Sequence, residues 1–522
     1  MSQNEEIRPD LEALQERLAY ILDKNRPEAV AKRHRKGKRT ARENIKDLVA
    51  EESFTEYGSL LLAAQRGRKS LQELIEQTPA DGLVSGIASV NADLFTEDRA
   101  QCMIMSYDYT VLAGTQGAFN HQKTDRMLAI AAKLKLPIIF FLEGGGGRPG
   151  DVDFYPISVG GLDIMTFTAF AGLSRSVPRI AIVAGYCFAG NAALAGSADV
   201  IIATENSSIG MGGPAMIEGG GLGSFHPKEI GPSDVMSKNG VIDILVKDEV
   251  EAVAAAQKYL SYFQGPIQNW ECADQNALRK LIPEDRKWGY DVRKVIFALA
   301  DTDSVLELRA AFGKAMLTFF ARIEGKPIGI IVNNPRHLGG AIDADASDKA
   351  ARFMQLCDSF GIPILSLCDT PGFMVGPDCE ATAMVRRASQ LFVVGAALKV
   401  PFMTIILRKA YGLGAMAMAG GSFHKPLFTI AWPTGELGAM GLEGAVRLGF
   451  KKELAAISDP TQRQQLYDQL VEQAYEQGKA INAASVMEID EVIDPKDSRT
   501  WISMVLKTKA GIVDEGRFID SW

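Results

Sequence analysis

Cysteine is sparse and never clustered: Cys102, Cys187, Cys272, Cys357, Cys368 and Cys379 form no CxxC pair. That excludes a zinc ribbon and a disulfide framework, and points to a reduced, cytoplasmic protein. Histidine is sparser still, five in 522 residues with no HExxH, so no metal is expected in this chain. Positive charge is outweighed; a net charge of −8 argues against a general nucleic-acid binder, whose footprint is basic. Long apolar runs are missing except for 180–198. That stretch is broken by Asn191, Ser197 and three glycines, and reads as a buried strand, turn and helix rather than a membrane span. The opening MSQNEEIRPD is polar and acidic, unlike a secretory signal or an Arg-rich transit peptide. No Ser-His-Asp or Cys-His set is visible, and no Walker loop.

What is present is a duplication. At a constant offset of 226, Gly114, Lys123, Arg126, Pro137, Glu143 and Gly146 are answered by Gly340, Lys349, Arg352, Pro363, Asp369 and Gly372. Further on the offset drifts: Val177-Pro178 answers to Val400-Pro401, Gly190 to Gly414, and Ile202-Ala203 to Ile430-Ala431. Matches this long indicate a doubled domain rather than a solenoid repeat. The chain is also long enough for two or three cores. The expected domains are 1–275 and 276–522, with 231–275 as the joint and a helix over 248–262.

Leu11, Leu14, Leu18, Ile21 and Leu22 keep helical spacing in the first 25 residues. A basic run follows from Lys32 to Arg42, either a solvated helix face or subunit contact, or a binder of nucleotide-like phosphates. From residue 81 onward short apolar runs alternate with helices. A helix over 125–136, a strand at 138–142, strands at 180–183 and 200–203, and a small-residue helix over 190–196 give an α/β class with a buried sheet.

Two turns follow buried strands in each copy. The first is Glu143-Gly-Gly-Gly-Gly-Arg148 or Asp369-Thr-Pro-Gly-Phe373; the second is Cys187-Phe-Ala-Gly-Asn-Ala192 or Tyr411-Gly-Leu-Gly-Ala-Met416. The second turn opens a helix whose first N–H groups lack intrahelical partners. Such donors converging on one oxygen make an oxyanion hole. Tight packing alone would also use glycine here, but both turns recur in both copies.

At these residues the chain resembles the carboxyltransferase subunits of biotin-dependent acyl-CoA carboxylases, a group that includes propionyl-CoA carboxylase β chains. The resemblance covers roughly residues 30–500, and rests on IPEDRKWGYDVRKVI (282–296), NNPRHLGGAIDADASDKAARFMQLCD (333–358), DTPGFMVGPDCE (369–380), RKAYGLGA (408–415) and AWPTGELGAMGLEGAV (431–446). TARENI (40–45) and DYTVLAGTQG (108–117) carry it in the first copy.

The resemblance implies two tandem crotonase-like (ClpP/crotonase) domains, the first for acyl-CoA and the second for carboxybiotin. It implies that Gly190 and Asn191 stabilise a thioester enolate, with Gly145, Gly146, Gly147 and Ala189 on the acyl-CoA side. Gly414 and Ala415 would hold the biotin ureido oxygen, with Gly372, Phe373 and Leu413 beside them. The family's active site lies between subunits, so a homo-oligomer is implied, a hexamer built as a trimer of dimers.

The chain departs from the family pattern in three turns. GGGGR replaces SGGAR, and CFAGNA and YGLGA each read as carrying one extra residue. Leu413 and Met416, with small Ala415 and Ala417, are placed to reshape the acyl pocket. Biotin attachment uses an AMKM-type hairpin, whereas Ala415-Met-Ala-Met418 has no lysine. Biotin is therefore expected on a partner, a biotin carboxyl carrier served by a biotin carboxylase. Rival readings are a transcarboxylase or decarboxylase subunit, a crotonase-type hydratase using Glu143 or Asp369 as acid/base, and a non-catalytic scaffold.

Overall fold

The computed structural model describes residues 8–153 and 161–508. The chain forms two compact units, Met1–Gln264 and Gly265–Trp522. The division falls earlier than the 275/276 boundary read from sequence. The reason is hydrogen bonding: Ile267 N–H donates to Gly325 O, and Cys272 bridges Asp301, so 265–275 is tied to the second unit. The helix before the division spans Glu249–Gln264.

The first unit holds β1 (Thr55–Glu56), β2 (Leu83–Ser89), β3 (Gln101–Tyr107), β4 (Ile138–Phe141), β5 (Gly144–Gly145), β6 (Arg179–Val183), β7 (Tyr186–Phe188), β8 (Val200–Thr204), β9 (Ser208–Gly210) and β10 (Ile244–Val246). Its main sheet runs β1-β2-β3-β4-β6-β8-β10, and β5-β7-β9 form a small second sheet. Pairing from β3 onward is parallel. Buried on both faces, β4, β6 and β8 are runs dominated by Ile, Val, Phe and Ala, the apolar composition that parallel sheets require.

The second unit repeats the plan with β11 (Leu306–Leu308), β12 (Met316–Ile323), β13 (Lys326–Asn333), β14 (Ile364–Thr370), β15 (Phe402–Tyr411), β16 (Thr429–Ala431), β17 (Glu436–Gly438) and β18 (Glu491–Val492). Its order is β11-β12-β13-β14-β15-β16-β18, and β17 pairs with the far end of β15. Thus β14 and β15 run on through what are separate short strands in the first unit.

Helices Ala118–Leu134 and Ala344–Ser359 occupy equivalent places. The first starts earlier than the 125–136 read from sequence, because the polar side chains of Asn120, His121 and Lys123 are buried with hydrogen-bond partners. Two polar devices are also doubled. Arg42 pairs bidentately with Glu56 at 2.9 and 3.0 Å, and Arg293 with Glu307 at 2.8 and 2.6 Å. Lys123 reaches back to the carbonyls of Gly58 (3.0 Å) and Leu83, and Lys349 to those of Arg309 (2.8 Å) and Phe312 (3.0 Å). Gly58 and Arg309 both take positive φ, 63° and 54°, so each lysine clamps a left-handed turn.

Near the N-terminus the helix Pro9–Ala19 forms, with Leu11 and Leu14 exposed. No described helix is long and apolar enough to cross a membrane.

Candidate active site

Strand register places the two turns of each unit side by side. Gly145 of β5 pairs with Phe188 of β7, and a Cβ on Gly146 would meet Ala189 Cβ at 3.9 Å. In the second unit Thr370 pairs with Ala410, and beyond them Gly414 packs against Gly372 and Phe373. All the sequence-selected residues of each copy therefore gather at one elbow: Gly145, Gly146, Gly147, Ala189, Gly190 and Asn191 in the first, Gly372, Phe373, Leu413, Gly414 and Ala415 in the second.

The register also corrects the sequence alignment. Cys187 and Ala410 are equivalent, so Gly190 corresponds to Leu413 and Asn191 to Gly414. The sequence pairing of Gly190 with Gly414 slid by one residue in a segment too rich in glycine and alanine to fix it.

Hydrogen bonding shows which amides are free. Gln116 N–H donates to Gly146 O while Arg148 N–H donates to Gln116 O; Ile342, Gly372 and Met374 repeat both bonds. In this parallel bridge the intervening residue, Gly147 or Phe373, turns its own N–H to the opposite side. The neighbouring helices Gly190–Gly196 and Gly412–Met418 start with N–H groups that have no intrahelical acceptor. Each elbow thus offers one amide from the first turn and the opening amides of a helix. Glycine is needed where the chains touch: a Cβ at Gly414 would sit 2.7 Å from Gly372 Cα and 3.0 Å from Phe373 N.

Asn191 is buried and its side chain points beneath the elbow. Its amide donates to the carbonyls of Gly114 and Glu143, each at 3.2 Å, and accepts from Gln116 at 2.8 Å. Only its main chain can face a ligand. Arg148 is likewise turned inward, salt-bridged to Asp81 and bonded to Thr115 O at 2.9 Å.

A buried carboxylate anchors each first turn. Glu143 is gripped by the Arg33 guanidinium through both oxygens. Asp369 accepts from the Tyr290 hydroxyl at 2.8 Å, Arg408 Nε at 3.1 Å and the Lys409 N–H at 3.2 Å. Burial, then the Asp369 charge, pushes the Tyr290 hydroxyl well above its ordinary value, so it remains a donor. Neither carboxylate is available as a hydratase-type acid or base.

Arg33 belongs to the basic run of the sequence. That run divides: Arg33 goes to Glu143, Lys38 to Ala184 O, Arg39 to Asp47 and Arg42 to Glu56, while Lys32, Arg35 and Lys36 remain exposed. Its inward half is neither solvated nor free for phosphates. Sequence reasoning missed Arg33, Tyr290 and Arg408 as anchors, since an ion pair 110 residues apart leaves no local signal.

The carboxyl transferase domain family matches residues 32–511. The propionyl-CoA carboxylase beta chain of Saccharopolyspora erythraea is 30% identical over 531 residues, covering 96% of this chain and 94% of that one. A solved single-chain, multi-domain long-chain acyl-CoA carboxylase superposes with a TM-score of 0.91 at 57% identity, covering 96% of this chain. This chain spans about half (49%) of that carboxylase's length. The transcarboxylase 12S hexamer, solved with methylmalonyl-CoA bound, gives a TM-score of 0.84 at 30% identity, covering 100% of this chain and 99% of that one. With its two α/β units and doubled glycine elbows, the chain belongs to the carboxyl transferase domain family, as a biotin-dependent acyl-CoA carboxyltransferase of two tandem crotonase-like domains.

Proposed function

We propose that this chain moves a carboxyl group from carboxybiotin to the α-carbon of an acyl-CoA, and that the acyl-CoA is long-chained. The acyl-CoA side is the first unit. There the N–H groups of Gly147 and Gly190 receive the thioester oxygen and hold it as enolate charge develops. Asn191 braces that elbow from below.

Biotin belongs on the second unit. Its residues fit a ureido oxygen: the Phe373 amide and the opening amides of Leu413, Gly414 and Ala415 line a cradle that a Cβ at Gly414 would fill. When bound, biotin supplies the labile carboxyl group, so the protein needs no nucleophile of its own. The work of the chain is placement and charge stabilisation.

The single observation that carries this reading is the recurrence of one elbow, in register, in both units. The long-chain substrate is supported by 57% identity to the long-chain carboxylase, against 30% to the methylmalonyl-CoA enzyme. We infer a biotin-carrying partner, a biotin carboxylase that charges it, and a hexamer like that of the 12S relative. A transcarboxylase role is the second reading, favoured by the full-length superposition on 12S.

The test is decarboxylation of malonyl-CoA or methylmalonyl-CoA by the purified chain with free biotin. Gly147→Pro and Leu413→Pro each delete one N–H, and Leu413 lies in a first helical turn where proline is accepted. Each variant should lose about 10²–10³-fold in rate with its circular dichroism unchanged. Full activity in both would overturn the oxyanion assignment; no turnover of any carboxylated thioester would favour the scaffold.

A further inference from the structure

We propose that Phe167 is a specificity-determining residue, forming the apolar wall of the acyl site, and that His121, Thr166 and Asp125 are the clasp that positions it. The proposal rests on the reading that the first unit holds the acyl-CoA.

The tip of the Phe167 ring, Cζ, lies 3.2 Å from the point a Cβ on Gly190 would occupy. The ring therefore lies, with the Gln116 carboxamide, against the Cβ side of Gly190, next to the helix opening whose amide receives the thioester oxygen. It is also 36% exposed, so one side of it faces outward at the elbow. Leu162 and Met165, just before it in the chain, are 96% and 59% exposed. An acyl chain leaving the thioester meets the ring first, and this apolar lip is next in sequence.

Phe167 is the second residue of the helix Thr166–Gly172, and that helix start is fastened from the side. The Thr166 hydroxyl donates to Asp125, so its oxygen accepts from His121 Nδ1–H at 2.9 Å. This order of donors makes the neutral imidazole the Nδ1–H tautomer. Burial lowers the His121 value, in keeping with a neutral ring. The imidazole then meets the Phe167 ring edge to face, centroids 6.0 Å apart at 62°.

The clasp is not part of the doubled scaffold. At the 226-residue offset, His121 and Asp125 are replaced by Ser347 and Ala351 on the biotin side. A device present in one copy alone, beside that copy's amide cradle, points to the ligand that distinguishes the copies.

The experiment measures kcat/KM for free-biotin-dependent decarboxylation of two thioesters, methylmalonyl-CoA and 2-tetradecylmalonyl-CoA. Phe167→Ala should lower the long-to-short ratio by about tenfold, chiefly through KM. His121→Leu should move the ratio the same way, and His121→Asn, whose amide can replace Nδ1–H, should restore it. Phe167→Leu repeats the measurement should the alanine variant fail to fold. An unmoved ratio in the Phe167 variants, or a His121→Leu that changes only thermal stability, overturns the proposal. Wild-type chain inert on both thioesters would sink the carboxyltransfer reading along with it, whereas active wild type with an unmoved ratio sinks this inference alone.

Discussion

Ala189 and Gly412 occupy the same place in the two copies, and both turn the chain through positive φ, at 51° and 57°. Ala189 directly precedes its helix and Gly412 is the first residue of its own, each leading into the amides assigned to the oxygen. Glycine adopts this geometry freely; alanine, with φ 51° and ψ −120°, does so under strain. The first elbow therefore holds backbone strain that the second avoids.

Ala189→Gly should accordingly stabilise the protein, by about 1 kcal/mol after the entropic cost of glycine. Gly412→Ala should do the reverse, since its Cβ would lie 2.8 Å from Ala439 O. Urea unfolding of both variants reads the two signs.

Arg33→Leu should cost about 3–5 kcal/mol, because it leaves Glu143 buried without its partner. The double variant Arg33→Leu/Glu143→Leu should recover part of that loss. A double-mutant cycle by chemical denaturation measures the coupling, and acyl-CoA turnover should fall with it as the first turn loosens.

Asp369→Asn is the matching change on the other side. It removes the charge that faces Arg408 and Lys409 while keeping the shape. Turnover should fall at least tenfold through the biotin KM, with the acyl-CoA KM nearly unchanged. Steady-state kinetics with varied biotin decides it.

Burial pushes the Lys349 ammonium down to about 7. The unfolded chain keeps that proton until about pH 10.4. Between those values the unfolded state binds more protons, so rising pH favours the folded one. Relative to Lys349→Met, wild type should gain roughly 2 kcal/mol between pH 7 and pH 9. Unfolding midpoints of the two proteins across that range give the comparison.

The doubled fold was legible because its landmarks are single residues with strict backbone demands. Gly114 and Gly340 recur since a Cβ at either would fall on the carbonyl of Glu143 or Asp369. The elbows were legible for the same reason. The one-residue slip between Gly190 and Gly414 arose where the two copies meet different demands: Asn191 carries a bonded side chain, whereas Gly414 has no room for a Cβ against Gly372. Arg33, His121 and Arg408 were not legible, because their partners are distant in sequence and only the folded chain brings them together.

The clamping lysines have a historical consequence. Lys123 and Lys349 perform one task in both halves, on a turn remote in sequence from either elbow. Such a fastening, shared by both copies, was in place when the domain was doubled. The frame the copies share does not tell thioester from vitamin, and a search for what does belongs around each hole.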